Sequence, residues 1–454
     1  MGTNVASCAG LLVPCLLLTA VPTQSPLVRT GAHFAVHLHA AALPTPLAER
    51  LADQALAAAE SVWTRCEQTI GAKAGQVAIV HLHGDEKAFR AAQRAAGGST
   101  FRDAYVRLEG PEAHVLLWPT LSAAALEIVG LPDPTAHEVI RSAAILVATR
   151  HSAAAVADPW LAEVFAWGVL EEMVNPQHRF GVDPAYDTRR QPLVRKLDAR
   201  DALVLKGTIL DFEVAPTREA AEEDDGHQCL LARTMAAHHK DWAKRLLDKP
   251  SKKAGSRAEI RIAAVERALG NNWIKTDALF TKLHQQAQPL FQLTAPMAAS
   301  RDGKLLCAGA PERSMQFQSV VLPPAGDYAV RGRFTIQPCG DDAFRIQLDW
   351  NQKSMVGFFF AVGKWSIESW EVGGDWKTLA SGKAPIHRNV PFDAAVEVGK
   401  NVRMLVSGAE IAAWEPGDRT MRGRWSVGVN DCVVTIEGLR CEATGVPPPS
   451  SPKK

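Results

Sequence analysis

His137 and Glu138 stand side by side in "DPTAHEVIRSAAILVATRH" (133–151). On a helix, a histidine and the residue four places later share one face. Two imidazoles so placed can hold one zinc ion, and a glutamate between them can deprotonate a metal-bound water. Here the fourth place is Arg141. A guanidinium stays protonated, has no lone pair to donate and repels a divalent cation. Glu163, in "PWLAEVFA", offers a carboxylate amid aromatic bulk as a third ligand. His151 does not complete the set, because fourteen residues along a helix bring it back to nearly the same face about 21 Å away. The spacing therefore predicts an incomplete metal site of His137 and Glu163, with Glu138 as general base only if a metal is held. Arg141 is expected to take over part of the metal's charge by pairing with Glu163 and Glu138, so that carboxylates facing the interior are satisfied.

Other chemistry-bearing residues are more scattered. His81 and His83 in "VHLHG" alternate along a β-like run and so share a face, which makes them a candidate metal pair or two half-exposed strand residues. No G-x-S-x-G or Walker-type loop gives a foothold for serine hydrolysis or nucleotide binding. Cys66, Cys229, Cys307, Cys339, Cys432 and Cys441 show no C-x-x-C spacing, which speaks against structural zinc. They read as disulfide partners in an exported protein or as buried thiols. Six of the twelve tryptophans fall at 350–425. Of these, Trp370 and Trp376 flank the Gly373–Gly374 turn and are the candidates for exposure and for stacking on the apolar face of a sugar ring.

The elements that position these residues fall into two textures. From Leu27 to about Pro289, β-like runs at 75–84 and 113–119 alternate with alanine-rich helical stretches. The helix carrying Glu163 begins with Asp158 as N-cap and Pro159 at its first position. Beyond about residue 300, short period-two runs punctuated by glycine and proline predict an antiparallel β-sandwich. Residues 9–21 form an apolar stretch too short to span a bilayer as a helix and fit a secretory leader, although no Lys or Arg precedes Arg29. The end, "TGVPPPSSPKK", reads as a disordered proline-rich tail. With 47% hydrophobic residues the chain can build globular cores, and a net charge of +1 gives no basis for binding nucleic acid.

The pairing of H-E-x-x-R with a downstream P-W-L-A-E-x-F-A resembles the gluzincin metallopeptidases, in particular their bacterial peptidase MA-like branch, over roughly Ala74 to Val174. The resemblance implies His137 and Glu163 as zinc ligands and Glu138 as base. Arg141 in place of the second histidine, and Val164 in place of a glycine, depart from the pattern. The strand order from Gln316 to Ala443 resembles a concanavalin A-like lectin/glucanase jelly roll. Glu368 and Glu371 lie an odd number apart on one strand, on opposite faces, which does not suit a retaining glycosidase pair.

The expected fold class is multidomain: a leader (1–25), an α+β, mostly helical gluzincin-like domain (27–295), an all-β antiparallel jelly-roll sandwich (300–444) and a tail (445–454). The expected function is that of an exported, catalytically inactive metallopeptidase-like protein, secreted or held in the periplasm or cell envelope. Its sandwich would bind carbohydrate, a peptide or a cell-surface protein, with no transmembrane segment in the mature chain and no cofactor. An active zinc peptidase with an atypical ligand set, which would need zinc, and a structural role in the cell envelope stand as alternatives.

Overall fold

The computed structural model describes residues 25–174, 228–269 and 291–444, apart from short stretches within these ranges. The expected tail and all but the last residue of the expected leader lie outside them. The first half is organised around a five-stranded sheet in the order β1 (Leu27–Thr30), β2 (Phe34–His39), β3 (Ala78–His83), β5 (Glu112–Leu116), β4 (Ala104–Arg107). The three central strands run parallel, and β1 and β4 pair antiparallel at the edges. Period-two alternation sends Val36, Leu38, Val80, Leu82, Ala113 and Val115 to one face, where all are buried in a common core with residues of two long helices.

Those helices are α1 (Thr45–Ile70) and α4 (Asp133–His151). α1 ends where Gly71 takes a left-handed conformation with φ 67°, which a glycine adopts without a Cβ penalty. α4 is apolar on most sides, with Val139, Ile140, Ala143, Ala144, Leu146 and Val147 all buried, the mark of a helix enclosed by its neighbours rather than lying on a surface. The shorter helices α2 (Glu86–Ala95), α3 (Ala123–Val129) and α5 (Ala153–Ala157) complete the connections. α6 (Pro159–Val174) packs against α4 and starts at the proline read from sequence. Asp158 caps it, accepting a hydrogen bond from the Trp160 amide at 3.3 Å. The same carboxylate is buried and accepts from Arg261 Nη2 at 3.0 Å, tying α6 to α8 (Arg257–Leu269). α7 (Trp242–Leu247) sets the fully buried Trp242 against Gly168 of α6.

The second half is a β-sandwich of two seven-stranded sheets. One sheet runs β17 (Ala409–Trp414), β16 (Val402–Val406), β15 (Phe392–Val398), β10 (Tyr328–Ile336), β19 (Val433–Ala443), β8 (Lys304–Ala308), β7 (Met297–Arg301). The other runs β14 (Lys377–Lys383), β13 (Lys364–Glu371), β12 (Ser354–Ala361), β11 (Ala343–Trp350), β18 (Arg424–Val429), β9 (Met315–Ser319), β6 (Phe291–Leu293). Adjacent strands pair antiparallel, and a phenylalanine-rich core that includes Phe334, Phe344, Phe358 and Phe360 fills the space between the sheets. β6 and β7 pair within these sheets, with β9 and β8 respectively, so the described strands of the sandwich include Phe291–Leu293 and Met297–Arg301. Cys66, Cys307, Cys339 and Cys441 carry free thiols.

The seat of Trp242 gives a test of the helical packing. A Cβ at residue 168 would collide with the indole, which is held beside Phe165 with ring centroids 6.3 Å apart. Gly168→Val should therefore cost about 1–3 kcal/mol through overpacking and lower the thermal midpoint of unfolding by several degrees. An unchanged midpoint would show that Trp242 is not locked there.

Candidate functional site

Arg141 lies on the face of α4 that meets α6, and only 4% of its side chain is exposed. Glu138, one turn earlier on the same helix, accepts from Nη2 at 2.7 Å and from Nε at 3.2 Å. Glu163 reaches in from α6 and accepts from Nη1. Arg102 Nη1 stands 3.5 Å from the same Glu163 carboxylate. The indole of Trp167, one turn beyond Glu163, lies 5.5 Å from the guanidinium carbon, adding a cation–π contact. His137 is half-buried beside this cluster on α4.

This arrangement bears on whether a zinc ion fits between these helices. Glu163, the carboxylate a metal would use, and Glu138, the expected base, are both turned onto a guanidinium, and the place of the second imidazole holds a fixed positive charge. The residues present do not fit zinc here.

The second set of candidates lies on the outer face of the β14–β13–β12–β11 sheet. Core residues Ile346, Phe358 and Ile367 point inward, and their strand neighbours Arg345, Phe359, Ser366 and Glu368 point outward. Arg345, Phe359, Lys364, Ser366, Glu368 and Thr378 line a cleft of about 550 Å³. Arg345 is 5% exposed, its guanidinium carbon 5.5 Å from the Phe359 ring and 5.1 Å from Trp376. Its Nε is buried with no hydrogen-bond partner among the described residues. Burial pulls its pKa down to about 10, against the opposing pull of Glu368. Gln347, two residues on, accepts from Ser426 at 2.6 Å through Oε1, while its Nε2 is buried without a partner among the described residues. Ser366 donates to Glu368 at 2.8 Å.

Trp370 and Trp376 come together here with ring centroids 6.5 Å apart, and Trp350 stands 5.9 Å from Trp370. They are half-buried rather than exposed, and they border the cleft instead of lining it. The reason is local. The Gly357 Cα on β12 faces the Trp376 indole at a distance that leaves no room for a side chain, so the ring lies down on the strand. Arg345 is bedded in the same way across Gly428 of β18. Arg345 and Gln347 were not singled out from sequence. The signal was "FRIQLDW", a strand whose outward positions hold an arginine and a glutamine between core residues.

His81 and His83 lie on the outer face of the first sheet, across from its apolar core, together with His37, His39 and His114.

No protein-family model matches the chain, and no curated protein matches it. Solved structures similar to part of it include a carbohydrate-binding module (CBM66) from Bacillus subtilis, 14% identical with a TM-score of 0.30, covering 34% of this chain and 96% of that one. The Caenorhabditis elegans galectin LEC-6 is 15% identical with a TM-score of 0.24, covering 30% of this chain and 96% of its own. The receptor-binding domain of botulinum neurotoxin D is 9% identical with a TM-score of 0.25, covering 35% of this chain and 43% of its own. Likeness at this level carries no residue roles across.

The ion cluster on α4 makes a prediction of its own. Arg141→Met strips the cation from two carboxylates and should cost about 3–5 kcal/mol, the penalty for removing one partner of a buried pair. Adding Glu138→Gln and Glu163→Gln should recover most of that loss in chemical denaturation. A triple variant no more stable than Arg141→Met would mean that charge compensation is not what Arg141 supplies.

Proposed function

We propose that this protein binds carbohydrate through the outer face of its β11–β14 sheet, on a concanavalin A-like sandwich attached to a metallopeptidase-like domain that performs no zinc chemistry. The single observation that carries this reading is Arg345. It is an almost fully buried cation at the floor of a cleft, packed between aromatic rings, and its Nε has no hydrogen-bond partner among the described residues. A buried donor left without a partner is costly in a protein standing alone. A ligand oxygen is the natural group to complete it.

The rest of the cleft suits a polyhydroxyl ring better than a simple anion. It mixes donors (Arg345, Lys364, and Gln347 beside it) with an acceptor, Glu368, and with hydroxyls on Ser366 and Thr378 that can do either. A sugar hydroxyl both donates and accepts, whereas a phosphate or sulfate would be repelled by Glu368. The Trp350–Trp370–Trp376 cluster at the margin supplies flat apolar surface for a pyranose face. Export to the cell envelope fits a glycan-binding role and forms part of the same proposal. Among the described residues no helix is long and apolar enough to cross a membrane.

Affinity electrophoresis through soluble neutral polysaccharides, followed by a glycan array, tests the reading. Retardation should be seen with the intact protein and lost with Arg345→Gln. Trp376→Ala and Trp370→Ala should each weaken binding roughly five- to tenfold, the worth of about 1 kcal/mol of aromatic stacking. Binding that survives all three variants would move the ligand elsewhere, and no binding on either assay would sink the proposal. The peptidase alternative is checked with labelled casein and added zinc: hydrolysis that Glu138→Gln abolishes would restore it.

A further inference from the structure

The tetrapeptide V-H-L-H occurs twice, at Val36–His39 on β2 and at Val80–His83 on β3. The two strands are parallel and in register, so His37 faces His81 and His39 faces His83. On the other side of β3, β5 pairs His81 with His114. Five histidines from three strands therefore crowd one face of the sheet, opposite the face that α1 and α4 cover.

Their contacts are ordered. The rings of His81 and His114 stack with centroids 4.6 Å apart and planes 9° from parallel, and Tyr105 stacks on the far side of His114, also at 4.6 Å. His39 Nε2 lies 3.0 Å from His81 Nδ1, and His83 Nε2 lies 3.0 Å from His114 Nδ1. Each inner histidine thus has one ring nitrogen engaged by an outer one. His114 Nε2 is buried, has no hydrogen-bond partner among the described residues, and sits 3.9 Å from Glu112 Oε2. One donor atom each from His81, Glu112 and His114 fall within 4.8 Å of one another.

We propose that His81, His114 and Glu112 form a binding site for a divalent transition ion of the zinc class, with His39 and His83 as positioning residues. Two imidazoles and one carboxylate are a ligand set that zinc, cobalt and nickel accept. Ligands at about 2.0–2.2 Å around a tetrahedral ion lie roughly 3.3–3.5 Å apart, so small side-chain rotations close the present spacing. The outer histidines decide the tautomers. If His81 Nδ1–H donates to His39 and His114 Nδ1–H donates to His83, both inner rings present an unprotonated Nε2, the form a metal binds. One feature opposes the ion: Arg107 Nη1 lies 3.7 Å from Glu112 Oε2 and competes for the carboxylate.

The test uses the full chain, dialysed against chelator and titrated with zinc by calorimetry and with cobalt by visible absorption. One equivalent should bind. His81→Gln/His114→Gln should abolish it, Glu112→Gln should weaken it at least tenfold, and His39→Gln or His83→Gln should weaken it about 10–100-fold without changing the stoichiometry. Arg107→Gln should tighten it. His137→Gln/Glu163→Gln should leave it unchanged, which separates this site from the helix α4 cluster. Long-range proton–nitrogen correlation of the histidine rings in the unaltered protein keeps the test independent of variants that fold poorly: zinc should move Nε2 of two rings strongly. No uptake, uptake that survives the double histidine variant, uptake lost with His137→Gln/Glu163→Gln, or no ring shift would overturn the proposal.

Discussion

The helical half of this protein depends on one buried cation. α4 runs through the core with apolar neighbours on most sides, and such a helix admits an arginine only where acceptors meet it. Arg141 has them from both directions, Glu138 on its own helix and Glu163 across the interface, with Trp167 beneath. The cluster fixes α6 against α4 in rotation and in height, because a shift of either helix by one residue would leave a charge stranded. Asp158 and Arg261 repeat the logic at the start of α6, where one carboxylate serves as cap and as ion-pair partner. Two carboxylates five residues apart, Asp158 and Glu163, thus pin the first turns of α6 to two different helices.

Comparing Arg141 with Arg345 shows how the same side chain can be structural in one place and available in another. Both are buried, and both lie against an indole. Arg141 donates through Nε and Nη2 to Glu138 on its own helix and through Nη1 to Glu163 on α6, which leaves it little to offer a ligand. Arg345 lies across a glycine, beside a second buried side chain, Gln347, whose Nε2 likewise has no partner among the described residues. Desolvation has been met in the first case by the fold. In the second, Arg345 Nε is left without a hydrogen-bond partner among the described residues.

What the sequence made legible was local. The start of α6 was readable because a cap and a proline act within three residues, and the period-two runs after residue 300 marked strands because alternation needs no partner. Features set by pairing at long range were not readable. The three-residue strand β6 has no pattern of its own and is defined by its bonds to β9. The half-burial of Trp376 depends on Gly357, nineteen positions away and on another strand. Only one of the two V-H-L-H segments stood out in the sequence, because nothing local says that the first will lie beside the second.

Parallel pairing is what gives that repeat its meaning. In a parallel in-register pair, identical tetrapeptides bring like residues side by side, whereas an antiparallel pair would set histidine rows against different neighbours. Parallel sheets are usually covered on both faces, yet here the helices α1 and α4 cover one face, and α2 reaches the other mainly at its end, through Phe89 against His83. Stacked neutral imidazoles and Tyr105 shield the remainder of the backbone ladder. Aliphatic side chains would shield it as well, and without leaving a buried imidazole nitrogen, His114 Nε2, with no hydrogen-bond partner among the described residues. Shielding alone therefore does not account for histidine at these positions, and the nitrogen chemistry of the row is the property that distinguishes it.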